Sequence, residues 1–447
     1  QCGTTLTLGE SGDTVTLGAG ASQSGFGRTG TVDWITTPKV TGDSPVTGES
    51  GKGYFMNTTA GAITLNLPAG VAGDIVSVAD YAGTFQTNNL TVVPNGTDKI
   101  GSLNENATLS TEGQSVTFIF VDSTQGWINT MDSTSNVRGQ PPFMLATVTG
   151  ACNTLTTAPD CANVKIATFT GPGTFCVSAI SATPANNTVS YLVIAGGGAG
   201  GGSGGGGGGA GGFREGKTPN TPYTASPLNA PAGLTIASAA AFPIVVGGGG
   251  TGGGLVGGSG SNSSFSTITS AGGGGGGSRS GGATGTPSPR DGLPGGSGGG
   301  GGGTCGPNPN PAGGTGNTPP VSPPQGQNGG QGLNSGNHQG GGGGGAGAVG
   351  ASAGPGGSCN PGGPGGNGVA TSISAASVTR GGGGGGGNQG PVVGTGGTGG
   401  GGAGGNPSGG QTAGTANTGG GGGGEGFTPD PAANGGSGIV IIRYKFQ

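Results

Sequence analysis

Residues 188–212 read TVSYLVIAGGGAGGGSGGGGGGAGG. The opening run, up to Ala195, is rich in β-branched and aromatic residues and has the make-up of a buried strand. It passes straight into glycine, which brings no side chain to a core and loses more backbone entropy on ordering than any other residue. An α-helix is disfavoured by about 1 kcal/mol per glycine, and a pleated strand gains nothing from a missing side chain. An extended helix with three residues per turn, of the polyproline II type, suits such a tract better. Without Cβ atoms these helices approach closely and pair their N–H and C=O groups with neighbours on several sides. At about 3.1 Å per residue, a run of about eight spans roughly 25 Å.

Comparable tracts begin near Gly247, Gly272, Gly295, Gly340, Gly381, Gly396 and Gly419, so residues 196–447 are expected to form a bundle of polyglycine II helices. The links between tracts are of two kinds. AAAFPIVV before Gly247, SSFSTITSA before Gly272, VATSISAASV before Gly381 and the terminal IVIIRYKFQ carry apolar residues and read as strands of a small β-base. Residues 439–446 are the one run comparable with 188–195. The two are expected to pair, so that a C-terminal strand at 438–446 closes the bundle. The other links, 278–294, 304–339, 388–394 and 406–418, are polar and rich in Pro, Asn and Gly. Irregular polar chain runs over a surface, so these are expected to form loops at the opposite, exposed end. Candidate contact residues there are Arg279, Arg290, Asp291, Asn308, Asn310, Asn334, His338, Asn388, Gln389, Asn406 and Gln411. Turn geometry alone also favours Asn and Asp at such places. Residues 213–232 have mixed character and fit neither kind of link.

Toward the N-terminus the chain reads as all-β. Residues 4–17, TTLTLGESGDTVTL, alternate apolar and Thr positions around a turn, hairpin or β-helix material too thin to be stable alone. Residues 1–51 are expected to be a thin β-shaft or attachment segment that completes its core in a homotrimer. Residues 52–135 read as a compact β-domain, with strands expected near 53–56, 62–67, 74–78, 90–93, 115–121 and 127–130. Trp127 belongs in its core, and Trp34 is expected at the junction with the shaft. Residues 136–195 read as a Pro-Pro linker followed by base strands.

Glycine accounts for 123 of 447 residues, about four times its ordinary share of roughly 7%. Collagen is excluded because the glycine comes in unbroken runs without a three-residue period. The net charge of −4 and the absence of any basic patch interleaved with aromatics argue against nucleic-acid binding. No apolar run is long enough to span a membrane. The GxGxxG matches are a by-product of glycine content and carry no nucleotide-site information. His338 is the single histidine, with no metal-ligand spacing around it, so neither metal nor cofactor is expected. The far-end links offer Asp291 alone as an acid, with Glu425 and Asp430 elsewhere, too few for the paired carboxylates of glycoside hydrolysis. The six cysteines form no CxxC. Disulfides Cys152–Cys161 and Cys305–Cys359 are the candidate pairs, isolated thiols the alternative.

Particular motifs resemble a known class. TVSYLVIAGGGAGGG, AGGFREG, GSNSSFSTITSAGGGGGG, VTRGGGGGGG and GGSGIVIIRYKFQ are similar to the glycine-rich C-terminal domain of bacteriophage tail-fibre proteins. LTLGESGDTVTL, GASQSGFGRTGTVDW, GYFMNTTAGAITLNLPAG, GDIVSVADYAGTF and FVDSTQGW resemble domains that recur in tail fibres of marine phages. The architecture is also similar to the polyglycine-rich distal adhesins of T-even-like phages, although those lack a shaft and β-domain of their own. The resemblance implies a non-enzymatic, extracellular virion fibre. Its N-terminal end would join other virion proteins, and its loops would bind a bacterial surface receptor, an outer-membrane protein or a polysaccharide. A structural virion decoration or filament is the alternative, and ice binding a more distant one.

Overall fold

The computed structural model describes residues 32–133, 141–253, 255–279, 289–304, 309–334, 338–354, 361–427 and 431–447. Most of the expected shaft, together with Cys2, Cys305, Cys359, Asn308 and Asp430, lies outside the described residues. The fold is nearly all β, and the chain divides into two compact units, residues 1–139 and 140–447.

In the first unit the strands are β1 (Asp33–Val40), β2 (Val46–Thr47), β3 (Lys52–Asn57), β4 (Ile63–Asn66), β5 (Ile75–Asp80), β6 (Leu90–Val93), β7 (Ala107–Leu109), β8 (Ser115–Phe120) and β9 (Trp127–Ser133). The chain alternates between two sheets: β1, β3 and β5 run parallel in one, β2, β4 and β6 parallel in the other. Six strands thus make three turns of a β-solenoid. β7 closes one sheet and β8 and β9 the other, all antiparallel. Period-2 alternation turns Tyr54, Met56, Ile63, Leu65, Val76, Val78, Leu90, Val92 and Phe118 into one core, with Trp127 fully buried among them. The carboxylate of Asp80 ties the turns together, accepting from the N–H groups of Gly83, Thr84, Phe85 and Gly113.

Two expectations are corrected here. The unit does not begin at residue 52, because β1 pairs with β3 from Asp33↔Lys52 onward and supplies the first solenoid turn. Trp34 therefore belongs to this unit. Its indole lies over Gly53, where a Cβ would collide with it, and stacks on Phe55 at 4.8 Å.

The second unit contains β10 (Leu145–Thr149), β11 (Thr154–Ala158), β12 (Cys161–Phe169), β13 (Gly173–Ala179), β14 (Thr188–Ile194), β15 (Phe213–Gly216), β16 (Asn229–Ala230), β17 (Leu234–Thr235), β18 (Ala240–Val245), β19 (Ser263–Phe265), β20 (Ile268–Ser270), β21 (Val369–Thr371), β22 (Val378–Arg380) and β23 (Ile439–Lys445). A five-stranded sheet, β10-β13-β18-β19-β20, and a seven-stranded one, β11-β12-β23-β14-β15-β16 with β17 beside β14, enclose Phe169, Phe175, Val193, Phe265, Val440 and Tyr444. As expected, the entry strand β14 pairs antiparallel with the exit strand β23, from Ser190↔Arg443 to Ile194↔Ile439. The mixed segment 213–232 contributes β15 and β16 to the same sheet.

Cys152 and Cys161 are not joined. They are free thiols toward opposite ends of the β11–β12 hairpin, Cys161 opposite Ala158 and Cys152 beside Thr170. The hairpin register, set by the strands between them, holds them far beyond the Cα separation a disulfide tolerates.

The glycine-rich chain shuttles between these sheets and a far end. The polar link 304–339, expected as one exposed loop, is also corrected. Gly314 and Gly329 bond to Gly299 and Gly314, so this stretch contributes two further passes alongside the tracts. Its middle returns to the sheets, where Asn317 and Thr318 donate to Gly296 and Gly295, and Gln325 accepts from Phe213 N. Likewise only the start of 406–418 lies at the far end, since Gly381 N donates to Thr418 O beside β22.

Candidate functional site

The site grows from the hydrogen bonding of one tract, residues 205–212. Its N–H groups address three neighbours in rotation. Gly205, Gly208 and Gly211 donate to Glu425, Gly422 and Gly419; Gly206, Gly209 and Gly212 to Gly277, Gly274 and Ala271; Gly207 and Ala210 to Gly341 and Gly344. Its carbonyls accept from three other passes in the same rotation, through Ala195, Gly198 and Gly201, through Ser297 and Gly300, and through Gly384 and Gly387. Six neighbours therefore surround this tract, and the partner repeats every third residue. A Cβ on Gly206, Gly207 or Gly208 would collide with the carbonyl of Gly300, Gly384 or Gly198. Glycine is needed here because backbone packs directly on backbone.

The three passes that accept from this tract end, at the far end, at Arg279, His338 and Phe427. The imidazole of His338 stacks on the Phe427 ring with centroids 5.7 Å apart and planes 12° from parallel. The Arg279 guanidinium carbon lies 4.7 Å from the Phe427 ring centroid. Phe427 remains 39% exposed, whereas His338 is 6% exposed. At the same end of the passes Ser278, Thr304, Gln339, Asn388 and Glu425 are buried. Ser203, in the left-handed region at φ 55°, turns the chain with Gly204 into the central tract, and its N–H is held by Glu425 Oε2 at 2.9 Å. His338 is also left-handed, at φ 46°. Its pKa is lowered from 6.5, first by burial and then by the Arg279 charge, against a hydrogen bond with the Thr304 backbone. Its Nδ1 is buried without a hydrogen-bond partner.

Residues 170–445 match the family model described as a glycine-rich domain. The chain belongs to the glycine-rich domain family. No curated protein matches the chain. The match opens just before β13 and runs to the last residue of β23, so the glycine-rich domain takes in the β14–β23 closure, the passes and the far-end cluster.

Of the expected contact residues, the glycine-rich domain brings Arg279 and His338 together. Asn308 lies outside the described residues, and several of the others make hydrogen bonds within the far end. Asp291 Oδ1 accepts from Ala312 N, Asn310 Oδ1 from Asn334 N, and Asn406 Oδ1 from Ser408 N. Asn388 is fully buried and closes its own loop through Val392 O and Gly390 N. Gln411 Nε2 donates to Pro431 O, Gln389 is half-buried, and Arg290 accepts at its carbonyl from Gly302 N. Phe427 was missed. A lone Phe following a glycine tract also occurs at Phe213, which is 1% exposed among the sheets. Only the direction of each pass separates the two cases. Among the described residues no group of three His, Cys, Asp or Glu is placed to hold a metal ion.

Proposed function

We propose that the chain is a bacteriophage tail-fibre protein that attaches the virion to a bacterial surface receptor, an outer-membrane protein or polysaccharide, through the far end of its glycine-rich domain. In this reading the passes are polyglycine II helices, as their three-residue exchange of partners favours. The protein is a homotrimeric, extracellular fibre that joins other virion proteins through its N-terminal segment and binds without catalysis or cofactor. The observation that carries the reading is the exposed Phe427, flanked by Arg279 and His338 at the ends of three passes that share one central tract. Backbone-to-backbone packing leaves no side chains to repack, so an aromatic and a cation are displayed with little ordering cost on binding.

The test is adsorption of the full chain to a panel of bacterial strains, beside Phe427→Ala and a version with 280–288 replaced by a Gly/Ser link. Selective binding by the parent, weakened about tenfold or more by Phe427→Ala, is expected. A folded parent that binds no strain, or variants that all bind alike, would favour a structural decoration.

A further inference from the structure

We propose that Arg279, laid against Phe427 beside His338, binds an oxyanion, a carboxylate or phosphate group. Its assignment to the receptor rests on the adhesin reading above; the binding chemistry rests on the geometry alone. The guanidinium carbon of Arg279 lies over the Phe427 ring at 4.7 Å, a cation–π contact that uses none of its N–H groups as hydrogen-bond donors to oxygen and leaves them for a planar, two-oxygen partner. The ring contact also restrains the side chain before the ligand arrives, which lowers the entropy lost on binding.

Among the described residues Arg279 lacks the carboxylate partner that a guanidinium usually has. Arg443, buried in the sheets, holds both oxygens of Asp160 at 3.0 Å and the Pro222 carbonyl at 2.8 Å. Arg279 makes no ion pair among the described residues. The acids of its own end face other groups: Glu425 Oε2 takes the Ser203 N–H, and Asp291 Oδ1 takes the Ala312 N–H. An independent observation points the same way. His338, 6% exposed and within reach of the Arg279 charge, has a ring nitrogen, Nδ1, without a partner. A buried polar atom in that state is costly, and it is relieved by a ligand that can donate a hydrogen bond, such as a phosphomonoester or a hydroxy acid. The cluster thus offers donors at Arg279, an acceptor at His338 and partly exposed apolar surface at Phe427.

The single histidine supplies the readout. The imidazole Cε1–H resonance of His338 in the full chain is followed by NMR while sodium phosphate, or in a separate arm sodium acetate, replaces chloride at constant ionic strength and pH. A saturable shift is expected with at least one anion, and the two arms tell phosphate from carboxylate. In Arg279→Gln the apparent affinity falls about tenfold or more, and Arg279→Lys, which keeps the charge without the fork, lies between. Retention of the parent's thermal transition shows that each variant is folded. No saturable shift with either anion, or the same titration in Arg279→Gln, overturns the proposal. If the shift is present and depends on Arg279 while the full chain adsorbs to no strain, the oxyanion site stands and the adhesin reading falls. If adsorption is selective and the resonance does not respond, the reverse holds.

Discussion

The two units bury their interiors by opposite means. In the first, strands of two sheets are held apart by side chains, and the stabilising contacts are those of Met56, Leu65, Val78 and Trp127. In the glycine-rich domain the passes touch through carbonyls and N–H groups, and the central tract has six such neighbours. The hydrophobic effect supplies the first kind of interior, whereas hydrogen bonding with close backbone contact supplies the second. The consequence is an inverted response to mutation: the first unit suffers when side-chain volume is removed, the second when it is added.

The sharpest way to break this comparison is Gly207→Val. Its Cβ collides with the Gly384 carbonyl, and no flexible side chain is there to yield. Loss of a cooperative unfolding transition for the second unit is expected, a penalty above about 3 kcal/mol, with the first unit's transition unchanged in calorimetry. Second in size is Leu65→Ala, at a fully buried position of the solenoid, which should cost about 3 kcal/mol in denaturant unfolding of the first unit alone. Ala210→Gly sharpens the contrast from the other side. Ala210 is fully buried among the passes, yet only a methyl is lost, and a change of about 1 kcal/mol or less is expected. A large loss would show that side-chain packing matters in the tracts after all.

The smallest expected effect concerns pH at the far end. His338 has a folded-state pKa below its ordinary 6.5, so the neutral ring is the one the fold prefers. Its contribution is fully present above about pH 6.5 and is lost as pH falls through that value toward the lower folded one. Thermal unfolding of the parent across this window should show a slope that His338→Gln removes, and an unchanged slope would contradict it.

The sequence made some elements plain because one physical signal dominated them. The pairing of residues 188–194 with 439–445 was legible because no other run flanking the glycine tracts is comparably apolar and β-branched. The apolar links before Gly247, Gly272 and Gly381 likewise sort themselves to the sheets. The passes within 309–334 were not legible. An outer pass needs glycine only where it faces a neighbour, so GQNGGQGLN at 326–334 places Gly326, Gly330 and Gly332 inward and leaves Asn328 and Gln331 exposed, and its composition is that of a loop. Once those passes are missed, the direction of later ones cannot be counted, and Phe427 cannot be assigned to an end. The first solenoid turn was misplaced for a related reason. β1 finds its partner in β3 across a connection through the other sheet, which local alternation does not reveal.

Composition and local pattern by themselves determined that the second unit has no side-chain core over most of its length, that its tracts are extended and mutually hydrogen-bonded, and that a β-base closes them. These follow from what glycine lacks and from where apolar runs fall, both of which are properties of short segments. Tertiary structure alone decided which tract lies at the centre, which links reach the far end, and that Arg279, His338 and Phe427, distant in sequence, meet there. Glycine has no side chain with which to specify a partner, so neighbour choice is set by the order and length of the passes taken together.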